Sequence, residues 1–351
     1  MKNTKSFLSN LKLRASWGSI GNQIILKSDN TPDNYPYIPS MSPYLTEWLV
    51  DGQKATTLNA PAMVSSSFSW EKVYTLDFGV DFGFFDNRFN GTFDWYRRDT
   101  KGMLAPGMDL PWVVGATAAK QNAADLKTYG WELELNWRDR INKDWSYRIG
   151  FNLYDSQSEI TKYNNETNLL GDKIYRKGMK MGEIWGYHVN GLFKTDKEAA
   201  EYQAKINDKA VNKRVYSSKV DGYLRAGDVR FADLNGDNVI GAGAGTVDDP
   251  GDKRIIGNTT PRYNYSFRLD ASWNGFDVSA FFQGIGKRDW YPSSSSSSQG
   301  ANSFWGPYSF PSTSFIEKSF PEDCWTEDNR NAFFPRIRGY QSYSGGSLGT
   351  V

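Results

Sequence analysis

From Lys72 to Arg98 apolar and polar residues alternate, pause at one turn, and alternate again. On the first arm Tyr74, Leu76, Phe78, Val80, Phe82 and Phe84 share one face, while Thr75, Asp77, Gly79, Asp81 and Gly83 share the other. A period of two is the signature of a β-strand lying between an apolar and an aqueous medium. Strands of soluble domains usually run about 5 or 6 residues, whereas a tilted strand crossing a bilayer needs about 9 to 11. The arm from Tyr74 to Phe84 has the second length.

The same alternation recurs. Leu11, Leu13, Ala15 and Trp17 oppose Lys12, Arg14 and Ser16; Tyr129, Trp131, Leu133, Leu135 and Trp137 oppose Glu132, Glu134, Asn136 and Arg138. Trp145, Tyr147, Ile149, Phe151 and Leu153 oppose Ser146, Arg148, Gly150 and Asn152. Tyr263 to Trp273 alternates with Asn264, Ser266, Arg268, Asp270 and Ser272, then Asn274-Gly275 turns the chain into Phe276, Val278, Ala280 and Phe282. This predicts strands near 10–18, 72–85, 88–98, 128–138, 145–155, 262–273 and 275–285, and an eighth if Phe333 to Tyr340 is extended.

Their connections are sorted by length. Short turns at Asp86-Asn87, Arg138 to Asp144 and Asn274-Gly275 lie within pairs; long polar stretches at 23–69, 99–127, 156–262 and 287–332 lie between them. Outer-membrane barrels have short turns at one rim and long loops at the other, a sorting that a soluble Greek-key sandwich has no reason to adopt. Phe84, Phe89, Trp137, Trp145, Trp273 and Phe276 flank the short turns, and Tyr74, Trp95, Tyr129 and Tyr263 lie toward the opposite strand ends, as two interfacial girdles require. Ten steps from Tyr263 to Trp273, at about 3.3 Å each and a tilt near 40°, give roughly 25 Å of height. The expected class is therefore all-β: an antiparallel, up-and-down transmembrane β-barrel segment of seven or eight long strands, an open fragment of a larger barrel with long extracellular loops.

A water-soluble β-sandwich that hides the same rows between two sheets is the alternative, with carbohydrate binding by loop aromatics as its function. The six side chains on Tyr74 to Phe84, at about 1.5 to 3 kcal/mol each, call for on the order of 10 kcal/mol from some apolar medium. Lipid and a partner sheet would both supply it. Strand length, loop sorting and the girdles favour lipid.

Aromatic residues make up 15% of the 351-residue chain, which suits either reading. Lys and Arg number 41 against 40 Asp and Glu, a net charge of +1 that lacks the basic excess of a nucleic-acid footprint. With Cys324 as the single cysteine there is no internal disulfide and no thiolate cluster; with His188 as the single histidine, a multi-histidine zinc site is excluded. His188 lies in Trp185-Gly-Tyr-His-Val-Asn-Gly191 without a nucleophile motif, so hydrolase chemistry lacks its usual base and no catalytic residue is expected. No run approaches the ~18 apolar residues of a membrane helix. Lys2 and Lys5 are not followed by the apolar core of a signal peptide, because Lys12 and Arg14 interrupt it.

Between 156 and 262 the period is lost. Thr195 with Glu198 forms a capping box that opens a solvent-facing helix over Lys197 to Ile206. Asp233-Leu-Asn235-Gly-Asp237 spaces oxygen ligands as a calcium loop does, although Asn238 and Ala244 occupy the places of an EF-hand's glycine and bidentate glutamate. A turn ordered by its own Asx hydrogen bonds is the competing reading, and calcium is the only cofactor the sequence brings forward. Gly241-Ala-Gly243-Ala-Gly245 lacks the strand and helix of a phosphate loop. The serine run 293–298, with Trp290, Tyr291, Trp305 and Tyr308 around it, forms a loop whose rings could stack on a substrate.

These pieces, in this order, resemble the carboxyl-terminal half of the SusC/RagA-type TonB-dependent outer-membrane transporters of Bacteroidetes. The resemblance is carried by Leu11-Lys-Leu-Arg-Ala-Ser-Trp-Gly18 with Gly21-Asn22, Trp70-Glu-Lys72 leading to Asp77-Phe-Gly79, Arg88-Phe-Asn-Gly91 and Tyr96-Arg-Arg-Asp-Thr100. Gly130-Trp-Glu132, Gly227-Asp-Val-Arg230, Asp233-Leu-Asn-Gly-Asp237, Ile256-Gly257 with Pro261, and Trp325-Thr-Glu-Asp-Asn329 with Pro335-Arg336 extend it along nearly the whole chain. The resemblance implies a barrel of about 22 strands with a plugged lumen, driven through TonB and capped by a SusD-like surface lipoprotein that delivers glycans or oligopeptides. It also implies an outer-membrane location, with lumen-facing Asp77, Asp81, Glu132, Glu134, Arg148 and Arg268. Plug domain, signal peptide and closing strands are not recognisable here, so the chain is expected to be an internal part of such a transporter.

Overall fold

The alternating segments hydrogen-bond into one antiparallel sheet in the computed structural model. Its strands are β1 (Leu8–Asn22), β4 (Glu71–Phe84), β5 (Phe89–Ala105), β6 (Gln121–Arg140), β7 (Trp145–Lys162), β12 (Arg262–Trp273) and β13 (Phe276–Lys287), in that spatial order. The structure describes residues 7–24, 41–59, 69–105, 119–163, 174–212, 222–290 and 319–337, with 35, 38–39, 61, 63–65, 113 and 168–170 between them. Two units are distinguished: Met1–Glu166, Tyr175–Met181 and Thr260–Arg288 form the first, and Thr167–Ile174, Gly182–Thr259 and Asp289–Val351 the second.

In the first unit the register keeps like with like across the whole sheet. Leu13, Val80, Phe93, Leu133, Leu153 and Tyr265 form one cross-strand row, and Leu11, Phe82, Leu135, Phe151, Phe267 and Phe282 form another on the same face. Between them, on the opposite face, runs Lys12, Asp81, Thr92, Glu134, Asn152, Ser266 and Gln283. A slip of one residue would interchange the faces of any strand, so this consistency fixes the register. The long strands pack against their neighbours in the sheet, with β7 also bridged to 179–181, and among the described residues no second β-layer covers the apolar rows. Leu13 is 74% exposed and Phe78 49%, which sets aside the two-layer sandwich.

The turns follow local chemistry. Asn274 and Gly275 both take positive φ, as the two-residue hairpin turn between β12 and β13 requires. Phe85, Asp86 and Asn87 also lie in the left-handed region and reverse the chain between β4 and β5. At Gly102, with φ 66°, β5 bulges, and the Asp125 carboxylate accepts the Gly102 N–H at 2.9 Å and a Lys101 Nζ hydrogen bond at 3.0 Å. That pairing carries β5 and β6 as regular strands well into the stretch expected to be a loop from 99 to 127. The stretch from 23 to 69 likewise holds a hairpin, β2 (Pro43–Val50) with β3 (Gln53–Leu58).

The second unit contains β8 (Glu183–Tyr187), β9 (Val189–Leu192), α1 (Asp196–Lys205), β10 (Val229–Phe231) and β11 (Lys253–Asn258), paired as β8–β11 and β9–β10. Its core is a conventional one: Tyr187, Val211, Val229, Phe231 and Ile240 form one buried cluster, and Phe193, Ala199 and Leu224 another. Thr195 caps α1 by accepting the Glu198 N–H, and the Glu198 carboxylate returns to the Lys194 N–H at 2.8 Å. Phe334 bridges to Cys324 in this unit, so 333–337 adds no strand to the large sheet; 338–340 lie outside the described residues. Among the described residues no helix is long and apolar enough to cross a membrane, which leaves crossing by strands as the open route.

Candidate functional site

Period-two geometry puts Asp77, Asp81, Glu132, Glu134, Arg148 and Arg268 on one face of the sheet, opposite the aromatic rows. They form no single cluster. Glu132 and Glu134 are exposed, and Glu134 accepts the Asn136 amide at 2.8 Å. Arg268 donates to Asp270 two residues along its own strand, at 2.9 Å to Oδ2.

The most connected part of this face is centred on a residue absent from the expected set. Arg14 holds Asp81 side-on, Nε to Oδ2 at 3.0 Å and Nη2 to Oδ1 at 2.9 Å, and reaches Asp94 Oδ2 with Nη2 at 3.0 Å. Thr92 donates its hydroxyl to Asp81 at 3.2 Å, and the Lys12 ammonium lies 3.8 Å from the same carboxylate. Three strands are thus tied by side chains as well as by the ladder. Gly79 makes this possible: a Cβ there would stand 2.6 Å from Arg14 Cζ and 2.3 Å from Asp94 Oδ1, so the guanidinium occupies the volume of the missing side chain. Residues 14 and 94 share the parity of the polar row, but their pairing depends on contacts 67 and 80 residues apart, which local pattern does not encode.

At the end of the sheet away from the short turns, Asp155 is almost fully buried and is gripped by Arg262 through Nε and Nη2. The Tyr263 N–H also turns to Asp155 instead of joining the ladder, at 3.3 Å, and Tyr263 adopts a positive φ of 54°. A strained backbone is held there by a charge-assisted pair.

In the second unit the calcium-like loop is closed on itself. Asp233 accepts the N–H groups of Gly236 at 2.7 Å and Asn238 at 2.9 Å, Asn235 accepts that of Asp237 at 3.1 Å, and Asp237 accepts that of Val239 at 2.7 Å. These are Asx hydrogen bonds, and among the described residues no group of three or more His, Cys, Asp and Glu side chains is arranged to hold a metal. Asp252, fully buried, organises the approach by accepting the N–H groups of Leu234 and Gly241. Burial raises the phenol pKa of both Tyr187 and Tyr202, and the Tyr202 hydroxyl donates to the Phe231 carbonyl at 3.1 Å. Trp290 is exposed in this unit; Tyr291, Trp305 and Tyr308 lie outside the described residues.

A single-layer antiparallel sheet with one apolar and one hydrated face, joined by short turns at one end, defines a segment of barrel wall. Residues 6–310 match the family described as TonB dependent receptor-like, beta-barrel, and the chain belongs to that family. It is 27% identical over 290 residues to TonB-dependent receptor P3 of Formosa agariphila, covering 78% of this chain and 25% of the relative. It is also 27% identical over 285 residues to TonB-dependent receptor SusC of Bacteroides thetaiotaomicron, covering 77% of this chain and 25% of that protein. The chain thus spans about a quarter of the length of these relatives. Among solved structures, the RagAB peptide importer in its open-open state is similar in fold, with a TM-score of 0.62 and 21% identity over 97% of this chain and 32% of that one.

Proposed function

We propose that this chain forms part of the wall of an outer-membrane, TonB-driven importer of glycans or oligopeptides that works with a SusD-like surface lipoprotein. In this reading the aromatic rows touch lipid, and the face carrying Asp77, Asp81, Glu132, Glu134, Arg148 and Arg268 lines a hydrated interior. The observation that carries it is the single sheet layer, whose exposed apolar face has about the height of a bilayer core. Such a surface is stable only against an apolar medium, and membership of the TonB-dependent receptor family supports lipid as that medium. The polar face contributes charge and hydration and no catalytic group.

The test is uptake by cells that carry or lack the full-length gene product, using labelled malto-oligosaccharides in one arm and a labelled oligopeptide mixture in the other. Uptake of one class that vanishes on deletion and on addition of a protonophore supports import. Fractionation of the protein with soluble material, or uptake indifferent to both treatments, refutes it.

A further inference from the structure

The strand β7 changes partner part-way along its length. One of its edges is occupied throughout by β6. The other edge pairs with β12 from Trp145 as far as Tyr154, which stands opposite Asn264. Further on, that edge belongs to residues 178–181: Glu159 bridges to Lys180, the Met181 N–H donates to the Ser158 carbonyl at 2.9 Å, and Ile160 bonds to Met179 at 2.9 Å and Gly178 at 2.7 Å. Between the two partners Asp155, Ser156 and Gln157 are paired with β6 alone. Continuing the β12 register would set Tyr263 opposite Asp155, Arg262 opposite Ser156 and Thr260 opposite Ser158, the place that Met181 holds.

What keeps β12 from that course is a side-chain pair. Asp155 grips Arg262 through Nε and Nη2 and accepts the Tyr263 N–H at 3.3 Å, while Tyr263 stands at φ 54°, a costly conformation for a residue with a Cβ. Gly130 fixes Asp155 from the β6 side: a Cβ there would lie 2.7 Å from the Asp155 carbonyl oxygen, so the two strands approach as closely as only glycine allows. The chain passes into the second unit between Met181 and Gly182 and returns to the first between Thr259 and Thr260. The Thr260 hydroxyl donates to the Met181 carbonyl at 2.9 Å, the Thr259 N–H donates to the Gly182 carbonyl at 2.8 Å, and β8 and β11 carry the pairing on from Glu183 and Asn258.

We propose that Asp155 and Arg262 form a latch that decides which segment holds the edge of β7. In the closed form the pair bends residues 262–263 aside and leaves Ser158 to Met181. In the open form Tyr263 relaxes to extended backbone, β12 zips onward as far as Thr260, and Thr260 replaces Met181 opposite Ser158. Residues 178–181 then leave the sheet and lengthen the lead into the second unit. Both pairings use Ser158, so they exclude each other and the element has two discrete arrangements. The closed form gives up regular pairing at three residues and accepts a left-handed tyrosine, and the charge-assisted fork is what offsets that cost. The latch stands on the pairing of the first unit alone and is independent of what the transporter imports.

The test is hydrogen–deuterium exchange, read peptide by peptide, on the full-length gene product in detergent micelles, comparing the native sequence with Asp155→Asn and Arg262→Gln. Exchange at 178–181 should quicken at least about tenfold in both variants, with 145–153 and 260–263 still protected. Trypsin should then cut after Lys177 and Lys180 in the folded variants and spare them in the native protein. Should either variant not fold, Arg262→Lys keeps the buried charge while losing the fork, and the same acceleration at 178–181 is expected of it. Unchanged exchange at 178–181 overturns the proposal. So does acceleration that includes 260–263, which is fraying without a change of partner, or one spread evenly over 145–153, which is general loss of stability.

Discussion

Leu133→Arg tests the division between the two faces most directly. Leu133 lies in the middle of the apolar face of β6, four residues from Trp137 toward the short turns and four from Tyr129 toward the other end. At about 3.4 Å per residue and a tilt near 40°, it sits roughly 10 Å from either girdle, near the bilayer midplane. Arginine there should cost about 2–4 kcal/mol, whereas at Tyr129 the cost should fall to about 0–1 kcal/mol. The native chain already places Arg97 directly across from Tyr129 on this face, paired with Asp99 at 2.8 Å, which marks that level as one where charge is tolerated. Glu134→Gln, one residue on and on the opposite face, should cost less than about 1 kcal/mol. The assay is urea-dependent folding of each full-length variant into phospholipid vesicles, followed by tryptophan fluorescence. A core sealed by protein would penalise positions 129 and 133 according to packing, with no gradient toward the girdle. A flat profile, or a greater loss at 134 than at 133, would refute lipid contact on this face.

Three further outcomes follow from particular contacts. Gly79→Val should displace the Arg14 guanidinium and release both carboxylates it bridges, lowering stability by about 1–3 kcal/mol by urea titration, while Gly18→Val, where nothing lies within 4 Å of an added Cβ, should be nearly neutral; equal effects would dismiss the seat. Asp155→Ala should cost about 3–5 kcal/mol by leaving Arg262 partly buried and unpaired, and Asp155→Ala/Arg262→Met should recover part of it; additive losses in this cycle would mean that the pair is uncoupled. Because burial raises the Tyr202 pKa, its contribution to stability is complete below the unfolded phenol value near 10 and is lost as pH rises through the higher folded value. Urea midpoints of the second unit should therefore fall above about pH 10, and less steeply in Tyr202→Phe; an unchanged slope would rule out this residue as a cause.

The large sheet was legible because both of its faces lie in uniform media, so each strand writes a period of two without interference from a second layer. The stretches that escaped notice lack that simplification. In β2, Tyr44, Leu45, Trp48, Leu49 and Val50 are all exposed and do not alternate, so the hairpin looks like a greasy loop. The continuation of β5 and β6 past 98 and 128 is half-buried on both sides, and its pairing is set by the Gly102 bulge and the Asp125 carboxylate, two details with no periodic signal. The strands of the second unit run three to six residues, too short for periodicity to speak. Among site residues, parity alone placed Asp81 on the polar face. Its partner Arg14 required the register of β1 against β4, which is a property of the folded sheet.

A sheet without a second layer has to gain its lateral cohesion within its own plane, and the two faces do this differently. On the apolar face, rings on neighbouring strands pack in stacked or tilted pairs: Phe84 and Phe89 lie 6.2 Å apart, Phe89 and Trp137 6.2 Å, Trp145 and Trp273 5.6 Å. Such contacts contribute about 0.5–1.5 kcal/mol each and leave the outer side of every ring to the surrounding medium. On the polar face, cohesion comes from charge laid across strands, as Arg14 reaches over Gly79 from Asp81 to Asp94, and its strength depends on ionic screening. Rising salt should therefore loosen the polar face while leaving the aromatic ladder intact, and exchange of lipid for detergent should do the reverse.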